Sequence, residues 1–449
     1  MTHNESGIFD QGDSKRSHPM LPHTISDVCF RWRQIVVSLR QLWSHIDIIA
    51  SHQWYAKLLP RAGLYSDRAG YVPLYVHICN PNQGNAMTSS GTIPLEIKNA
   101  CYSLAPSTQR FRLDNSEAEG KGVSDLLSYF LRHTEPSLLR ELCLIDHAGS
   151  SSIEPLEFKD SCRRHPYPGW TRFEPLLLST RSVDKRLRHI EVLWLRNIFF
   201  PWSCHAYIGL TDLRLVVDGD SDSNNIHMSQ LVGILSSCPG LRIFRCNLGV
   251  STYNAQPTVS QVSLKELEVV NLYLMDSKQC TLLLAHILPG EKPLELSLSI
   301  PEDGERFPGR FLQAPILAFF NRSRVTKLFL HKDRNDTWND GKMIRLSLAM
   351  LLSQLPAGIS TLGLNRLQVC HGTEELTSVP MQLDTVYMCS CSVDRATLQT
   401  LARVCPLRKL MLNHIPHWYE PAGREHVREE VVDLAPIASC SWIPPERRT

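Results

Sequence analysis

The chain has 449 residues, of which 43% are hydrophobic, and its formal net charge at pH 7 is +2. This nearly balanced charge gives no electrostatic reason to expect nucleic acid or an anionic membrane as the main partner, and no apolar run approaches the roughly 18–20 residues of a membrane span. The fourteen cysteines are scattered and form no Cys-x-x-Cys pair, and the polar N-terminus predicts no signal peptide. The composition therefore predicts a cytoplasmic and/or nuclear protein with reduced thiols and no metal site.

Residues 1–20 are polar and are predicted to be disordered, and the first regular element is predicted between Ile25 and Leu39. Its apolar residues recur at offsets of 0, 3, 4, 7, 10, 11 and 14, which is one stripe of an amphipathic helix. Thr24 and Asp27 resemble the start of a capping box. A second apolar cluster is predicted to fold back on this helix as a helical hairpin. It consists of Leu42, Trp43 and Ile46.

Two short stretches, 28–35 and 42–48, resemble the second half of an F-box in the F-box-like leucine-rich-repeat proteins that are abundant in mushroom-forming fungi. The segments 59–63 and 73–78 resemble the sequence that follows the F-box in that group. The resemblance implies a helical module, residues 21–58, that docks on a Skp1-like adaptor of a cullin-type ubiquitin ligase. The residues that match the adaptor-binding positions are Cys29, Trp32, Ile35, Leu42, Trp43 and Ile46.

The first helix of an F-box, which normally begins with Leu-Pro-x-Glu, has no counterpart in residues 1–20. Leu21 and Pro22 lead directly into the predicted helix. The resemblance therefore covers only part of the usual adaptor-binding surface. An alternative interpretation is that Trp32 and Trp43 pack an N-terminal cap onto a repeat domain, since the end of an uncapped repeat array exposes apolar surface.

The clearest internal repeat begins at Leu383 and matches the leucine-rich-repeat template Leu-x-x-Leu-x-Leu-x-x-Asn/Cys-x-Leu at every position. The pattern resumes at Leu407, 24 residues later, and the residues between them have helical spacing up to Pro406. This order predicts a strand, a helix and a second strand. The template positions are Leu383, Val386, Met388, Cys391 and Val393, and the helical positions are Leu398, Leu401, Ala402 and Val404.

Less regular copies of the pattern occupy most of the preceding chain. They begin at Leu139, Leu187, Leu210, Leu241, Leu264, Leu294, Val325 and Ile359. Together these units predict an α/β leucine-rich-repeat solenoid over residues 59–415, an irregular horseshoe with parallel strands on its concave face, followed by a cap and tail over 416–449. An ordinary α/β protein is the alternative, but a Gly-rich phosphate-binding turn is missing from every predicted strand end.

The residue between the second and third leucines of each strand is predicted to point onto the concave face. This column should contain Cys143, Glu191, Arg214, Arg245, Glu268, Glu295, Phe329, Gly363, Tyr387 and Met411. Large apolar and guanidinium groups in such a column predict a protein-binding patch, because these groups are enriched at binding hot spots. The patch consists of Arg214, Arg245, Phe329, Tyr387 and Met411. The alternative is that loops or the C-terminal tail cover these residues, so that they belong to the core.

The sequence contains none of the motifs that identify a P-loop, a hydrolase nucleophile or a zinc protease, so we predict neither catalytic residues nor a cofactor. The expected function is that of a non-enzymatic adaptor that binds a Skp1-like protein and an unknown protein substrate and is monomeric outside this complex. One alternative is an interaction scaffold that does not bind Skp1. Another is a leucine-rich-repeat regulator or inhibitor of an enzyme.

Overall fold

The protein forms two compact units. Unit 1 contains residues 1–148 and 157–189, and unit 2 contains residues 149–156 and 190–449. The predictions for residues 1–20 and 416–449 lie outside the described residues. The computed structural model describes residues 21–49, 55–80, 94–115, 123–147, 156–160, 176–218, 225–251, 261–273, 275, 277–300, 314–332, 344–370, 383–405 and 407–413.

Unit 1 alternates helices with the strands of one parallel sheet. The helices are α1 (Leu21–Ser26), α2 (Phe30–Ser38), α3 (Tyr55–Ala69), α4 (Leu95–Leu104), α5 (Val123–His133) and α6 (Thr180–Leu187), with 3-10 turns at Arg40–Trp43 and Ala105–Ser107. The strands are β1 (His45–Ile49), β2 (Leu74–Asn80), β3 (Thr108–Asn115) and β4 (Glu141–Asp146), and they lie side by side in chain order. Ile46, Val76, Phe111 and Leu142 are in register and buried, so one inward row joins all four strands.

Unit 2 contains a longer parallel sheet, also in chain order. Its strands within the described residues are β5 (Val192–Arg196), β6 (Asp212–Val216), β8 (Ile243–Cys246), β11 (Val269–Leu272), β13 (Leu294–Ile300), β14 (Val325–Lys332), β16 (Thr361–Asn365), β18 (Thr385–Cys389) and β20 (Lys409–Asn413). Short strands pair separately as β7 (Asn225–His227) with β9 (Gly249–Ser251), β10 (Val262–Leu264) with β12 (Ile287–Pro289), and β15 (Ile344–Ser347) with β17 (Leu367–Cys370) and β19 (Ser392–Val393). The helices are α7 (Met228–Ser236), α8 (Ser277–His286), α9 (Ala314–Asn321), α10 (Leu348–Gln354) and α11 (Arg395–Val404), with a 3-10 turn at His205–Tyr207.

The repeat that begins at Leu383 explains how one unit of the solenoid is built. All five template positions predicted there are buried. The thiol of Cys391 donates a hydrogen bond to the carbonyl of Leu364 in the preceding repeat, at 3.3 Å, so the Asn/Cys position links successive repeats. Asp394 then caps α11 by accepting a hydrogen bond from the amide of Thr397 at 2.6 Å.

The strand order confirms the predicted fold class. In a doubly wound α/β protein the order of the strands reverses at a switch point. Here, within each unit, each main strand pairs with the strand of the next repeat, as stacking of equivalent repeats requires. The fold is therefore a leucine-rich-repeat solenoid.

The predicted helical hairpin at the N-terminus is wrong. The expected helix from Ile25 to Leu39 is interrupted between α1 and α2, where Cys29 is extended, with φ −163°. The second apolar cluster forms a 3-10 turn and strand β1, so Ile46 lies in the sheet. The parallel sheet thus begins before residue 59. Ile46 and Ile48 are both buried and lie two residues apart, which is the spacing of one face of a strand.

Candidate protein-interaction surfaces

Helix α2 and its flanking residues expose an unusual amount of apolar surface. Six of the fourteen exposed large apolar side chains in the described part of the chain lie within residues 28–39, which makes a cluster rather than scattered exceptions. Trp32 and Ile35 are 49% and 39% exposed and lie three residues apart on the same side of the helix. We call this cluster the α2 surface. It consists of Val28, Phe30, Trp32, Ile35, Val37 and Leu39.

The two N-terminal tryptophans have different roles. Trp43 is fully buried, packs edge-on against the ring of Tyr65 at 5.0 Å, and lies under the guanidinium of Arg68 at 4.2 Å. Its indole Nε1 donates a hydrogen bond to the carbonyl of Val36 at 2.8 Å, which fixes α2 to the body of unit 1. Trp43 thus has the packing role expected of a cap, whereas Trp32 is available to a partner.

The six predicted adaptor-binding residues therefore divide by exposure. Cys29, Trp32 and Ile35 are exposed and Leu42 is half-buried, whereas Trp43 and Ile46 are core residues. The spacing that carries the F-box resemblance could not separate these two groups, because a docking face and a packing face have the same helical period.

The five residues of the predicted concave patch lie in one continuous row of unit 2. The strand register joins Arg214 to Arg245 and, further along the sheet, Phe329 to Gly363, Tyr387 and Met411. We call this row, which crosses the nine main strands of unit 2, the central row. It consists of Trp194, Arg214, Arg245, Asn271, Ser297, Phe329, Gly363, Tyr387 and Met411.

The first part of the central row contains a positioned guanidinium. Arg214 binds Asp212, two residues earlier on the same strand, with a shortest distance of 2.8 Å from Nη2 to Oδ2. The same guanidinium lies 5.2 Å from the ring centre of Trp194 on the neighbouring strand. Arg214 and Arg245 are both half-buried. The ion pair and the aromatic ring hold the Arg214 side chain against the sheet and limit the rotamer entropy that a partner would have to remove.

The second part of the central row is apolar and partly closed. Phe329 is only 7% exposed, and its ring lies over Gly363, where a side chain would collide with it. The ring centre of Tyr387 is 6.4 Å from that of Phe329, and Tyr387 and Met411 are half-buried. Phe329 thus forms a floor, and Tyr387 and Met411 present the accessible apolar surface beside it.

The predicted register is wrong for three members of the column. The prediction put Glu191, Glu268 and Glu295 in this column. The central row contains Trp194, Asn271 and Ser297 instead. A neighbouring row of the sheet contains Val192, Val269 and Glu295. The template fits the sequence in two ways wherever an extra apolar residue lies upstream, as Leu187 lies upstream of Ile190. Burial of Leu193 and Leu195, and not of Val192, shows which fit is right.

Unit 1 carries an ionic network on the equivalent row of its sheet, where Asp47, His77, Arg112 and Cys143 are in register. The imidazole of His77 joins two carboxylates, with Nδ1 3.0 Å from Oδ1 of Asp47 and Nε2 3.2 Å from Oδ2 of Asp114. Arg112 holds Asp114 through two hydrogen bonds of 2.8 Å. The charges of this network compensate one another.

The pKa values of the network follow from these contacts. Burial would raise the pKa of Asp47, but hydrogen bonds from His45 and His77 outweigh burial and hold this pKa well below its usual range. Burial is likewise outweighed at Asp114, where hydrogen bonds from His77 and Arg112 lower the pKa to about 2. Burial would lower the pKa of His77, but its bonds to Asp114 and Asp47 raise it. The two carboxylates thus favour the protonated imidazole of His77, the form in which both ring nitrogens donate hydrogen bonds.

The described residues contain no group of three or more His, Cys, Asp or Glu side chains arranged to hold a metal ion. Every cysteine among them is a free thiol. Within that part of the chain, none of the helices combines the length and the apolar character needed to cross a membrane.

Neither the known family models nor the curated proteins include a match to this sequence. Among solved structures, the chain is similar to the crystal structure of an internalin, InlF, from Listeria monocytogenes. That similarity covers 78% of this chain and 89% of the internalin chain, with 12% sequence identity and a TM-score of 0.30. The strand order and the register within each unit are those of a leucine-rich-repeat solenoid.

Proposed function

We propose that this protein is a non-enzymatic substrate-recognition adaptor of a Skp1–cullin–F-box type ubiquitin ligase. In this proposal the α2 surface binds a Skp1-like adaptor and the central row binds a protein substrate. Leucine-rich-repeat solenoids are typically protein-interaction scaffolds, with extended surfaces suited to binding rather than to enclosing a reaction. The free thiols are consistent with a cytoplasmic and/or nuclear location.

The observation that carries the proposal is the exposure of Trp32 and Ile35 next to the buried Trp43. A tryptophan that serves only to cap a repeat array should be buried against it, since burial of an indole is strongly favourable. Trp32 is instead exposed, as a residue that binds an adaptor should be, and by resemblance it matches an adaptor-binding position of the F-box. An aromatic and an aliphatic side chain on one face of a short helix are typical anchors for a groove in a partner.

A second candidate is an interaction scaffold that does not bind Skp1. It is favoured by the sequence of residues 1–20, which lacks the first Leu-Pro-x-Glu helix of an F-box. In that case the α2 surface binds a different protein, and the central row keeps its role.

Binding of the purified 449-residue chain to a purified Skp1-like adaptor decides between these candidates. We expect the wild-type chain to bind and the Trp32→Ala/Ile35→Ala variant to bind at least about 30-fold more weakly, which corresponds to roughly 2 kcal/mol for the loss of two apolar anchors. Leu95→Ala/Tyr102→Ala is the matched control, because these apolar side chains of unit 1 are also exposed. Its affinity should equal that of the wild type.

Isothermal titration calorimetry gives the affinities, and circular dichroism verifies that each variant is folded. If the folded wild-type chain does not bind the adaptor, the ubiquitin-ligase proposal is wrong and the scaffold is favoured. Equal weakening by the control pair would show that the α2 surface is not the docking site.

A further inference from the structure

The α2 surface is basic as well as apolar. Arg31, Arg33 and Arg40 are exposed, whereas Asp27 is the one acidic residue between Thr24 and Trp43. None of the three arginines forms an ion pair within the described part of the chain. The Nε of Arg33 donates to the carbonyl of Ser26 at 3.1 Å, and the guanidinium of Arg40 lies 4.5 Å from the ring centre of Tyr71. Among the residues that the structure describes, the three positive charges around the apolar cluster are therefore not paired with carboxylates.

Exposure on two sides of α2 limits the shape of the partner. At 3.6 residues per turn, Phe30 and Val37 lie on nearly the opposite side of the helix from Trp32 and Ile35. Phe30 is 71% and Val37 is 47% exposed. A helix that lies on a membrane has one apolar face and an opposite polar face. A helix with apolar side chains on both sides instead fits a groove whose walls contact it from two directions.

The helix is held in place before any partner binds. Val36 is its buried residue, and the carbonyl of Val36 accepts the hydrogen bond from the indole of Trp43. Since this bond and the packing of Val36 fix α2 to unit 1, the exposed residues are presented by a positioned element. Binding to a preorganised helix avoids most of the ordering entropy that a disordered segment would lose.

We infer that α2 inserts into an apolar groove of a protein partner whose rim carries carboxylates, and that these carboxylates meet Arg31 and Arg33. The inference rests on the proposed function and specifies the chemistry of the surface that the Skp1-like adaptor must present. Rim charges of this kind contribute to orientation and association rate, and salt screens them.

The test uses the 449-residue chain and the same purified Skp1-like adaptor. We expect the affinity of the wild type to fall about tenfold between roughly 0.05 M and 0.5 M NaCl, because screening shortens the reach of exposed charges. Arg31→Glu/Arg33→Glu should weaken binding about tenfold or more at low salt, and Arg31→Gln/Arg33→Gln should weaken it less and remove most of the salt dependence. Arg181→Glu/Arg188→Glu is the control, since it makes the same change in net charge at exposed positions outside the α2 surface.

The outcomes separate the inference from the proposed function. Binding that depends on Trp32 but is insensitive to salt and to reversal of Arg31 and Arg33 overturns the acidic rim and leaves the docking site intact. Equal weakening by the control pair also overturns it, because the effect is then one of net charge. Failure of the wild type to bind the adaptor overturns both. Binding to vesicles of about 70% phosphatidylcholine and 30% phosphatidylserine, without binding to the adaptor, would identify a membrane surface as the partner.

Discussion

At the scale of single residues, Gly363 determines where the ring of Phe329 can lie. A Cβ atom at position 363 would overlap Cδ1 of Phe329 and would lie 2.8 Å from Cε1 and 3.2 Å from Cγ. The whole ring would have to move away from position 363, because Cγ lies close to the backbone of β14 and a rotation of the ring alone would not relieve the contact. We therefore expect Gly363→Ala to reduce the free energy of unfolding by roughly 1–3 kcal/mol, as overpacking usually does.

A double-mutant cycle measured by urea denaturation checks this explanation. Once Phe329 is replaced by alanine, Gly363→Ala should cost little, so the two changes should couple strongly. Additive effects of Gly363→Ala and Phe329→Ala would contradict the proposed contact between the ring and the glycine.

At the scale of the elements, the sequence predicts the repeats far better than their register. The unit from Leu383 to Val404 is predicted correctly because its template is complete and a capped helix follows it. The units that begin at Leu187 and Leu264 are misaligned because apolar residues also occupy the preceding turn, and only packing against the neighbouring strands selects one fit. Register is a property of the stacked sheet, which a single repeat does not encode.

The α2 surface is predictable only in part for a related reason. The apolar stripe that includes Trp32 and Ile35 is visible in the sequence, but helical spacing alone predicts that such a stripe faces the core. Its exposure depends on the break at Cys29 and on Trp43, which occupies the position beside Val36. The ionic network of unit 1 is likewise hidden in the sequence, because Asp47, His77 and Asp114 are brought together only when three strands stack.

The His77 network gives strands β1 to β3 a specific dependence on pH. The pKa of His77 is raised in the folded chain, so its contribution to stability is complete below the ordinary value of 6.5 and is lost as pH rises through the raised pKa. The lowered pKa values of Asp47 and Asp114 act in the opposite direction. Their contribution is present above the ordinary value of 3.8 and is lost as pH falls below it. This network should therefore stabilise unit 1 most between these two ordinary values.

Urea unfolding at a series of pH values, followed from the ordinary pKa of His77 upward, measures this effect. We expect the wild type to lose stability over this range and His77→Gln to be less stable at the acidic end with a flatter dependence, because a glutamine side chain cannot carry the charge. His189→Gln is a control at an exposed histidine of the same unit. Parallel curves for the wild type and His77→Gln would show that the imidazole does not titrate in this network.

At the scale of the whole molecule, the repeat architecture should confine the loss of stability from a core substitution to the nearby repeats. In a solenoid each repeat contacts its neighbours, so stability is a sum of local terms rather than the property of one central core. Leu362 on β16 and Leu193 on β5 are both fully buried but lie far apart in the strand order of unit 2. Replacement of either leucine by alanine should remove roughly 2–5 kcal/mol of local stability by leaving a cavity.

Hydrogen exchange measured by mass spectrometry can locate these losses. Leu362→Ala should speed exchange in β14, β16 and β18 more than in β5 and β6, and Leu193→Ala should produce the reverse pattern, so each variant is the control for the other. We expect the increase in exchange rate to become smaller with distance along the strand order, because each strand is hydrogen-bonded only to its immediate neighbours. If both variants speed exchange equally in all nine strands, unit 2 unfolds as one cooperative body. The central row would then depend on packing far from any one of its strands.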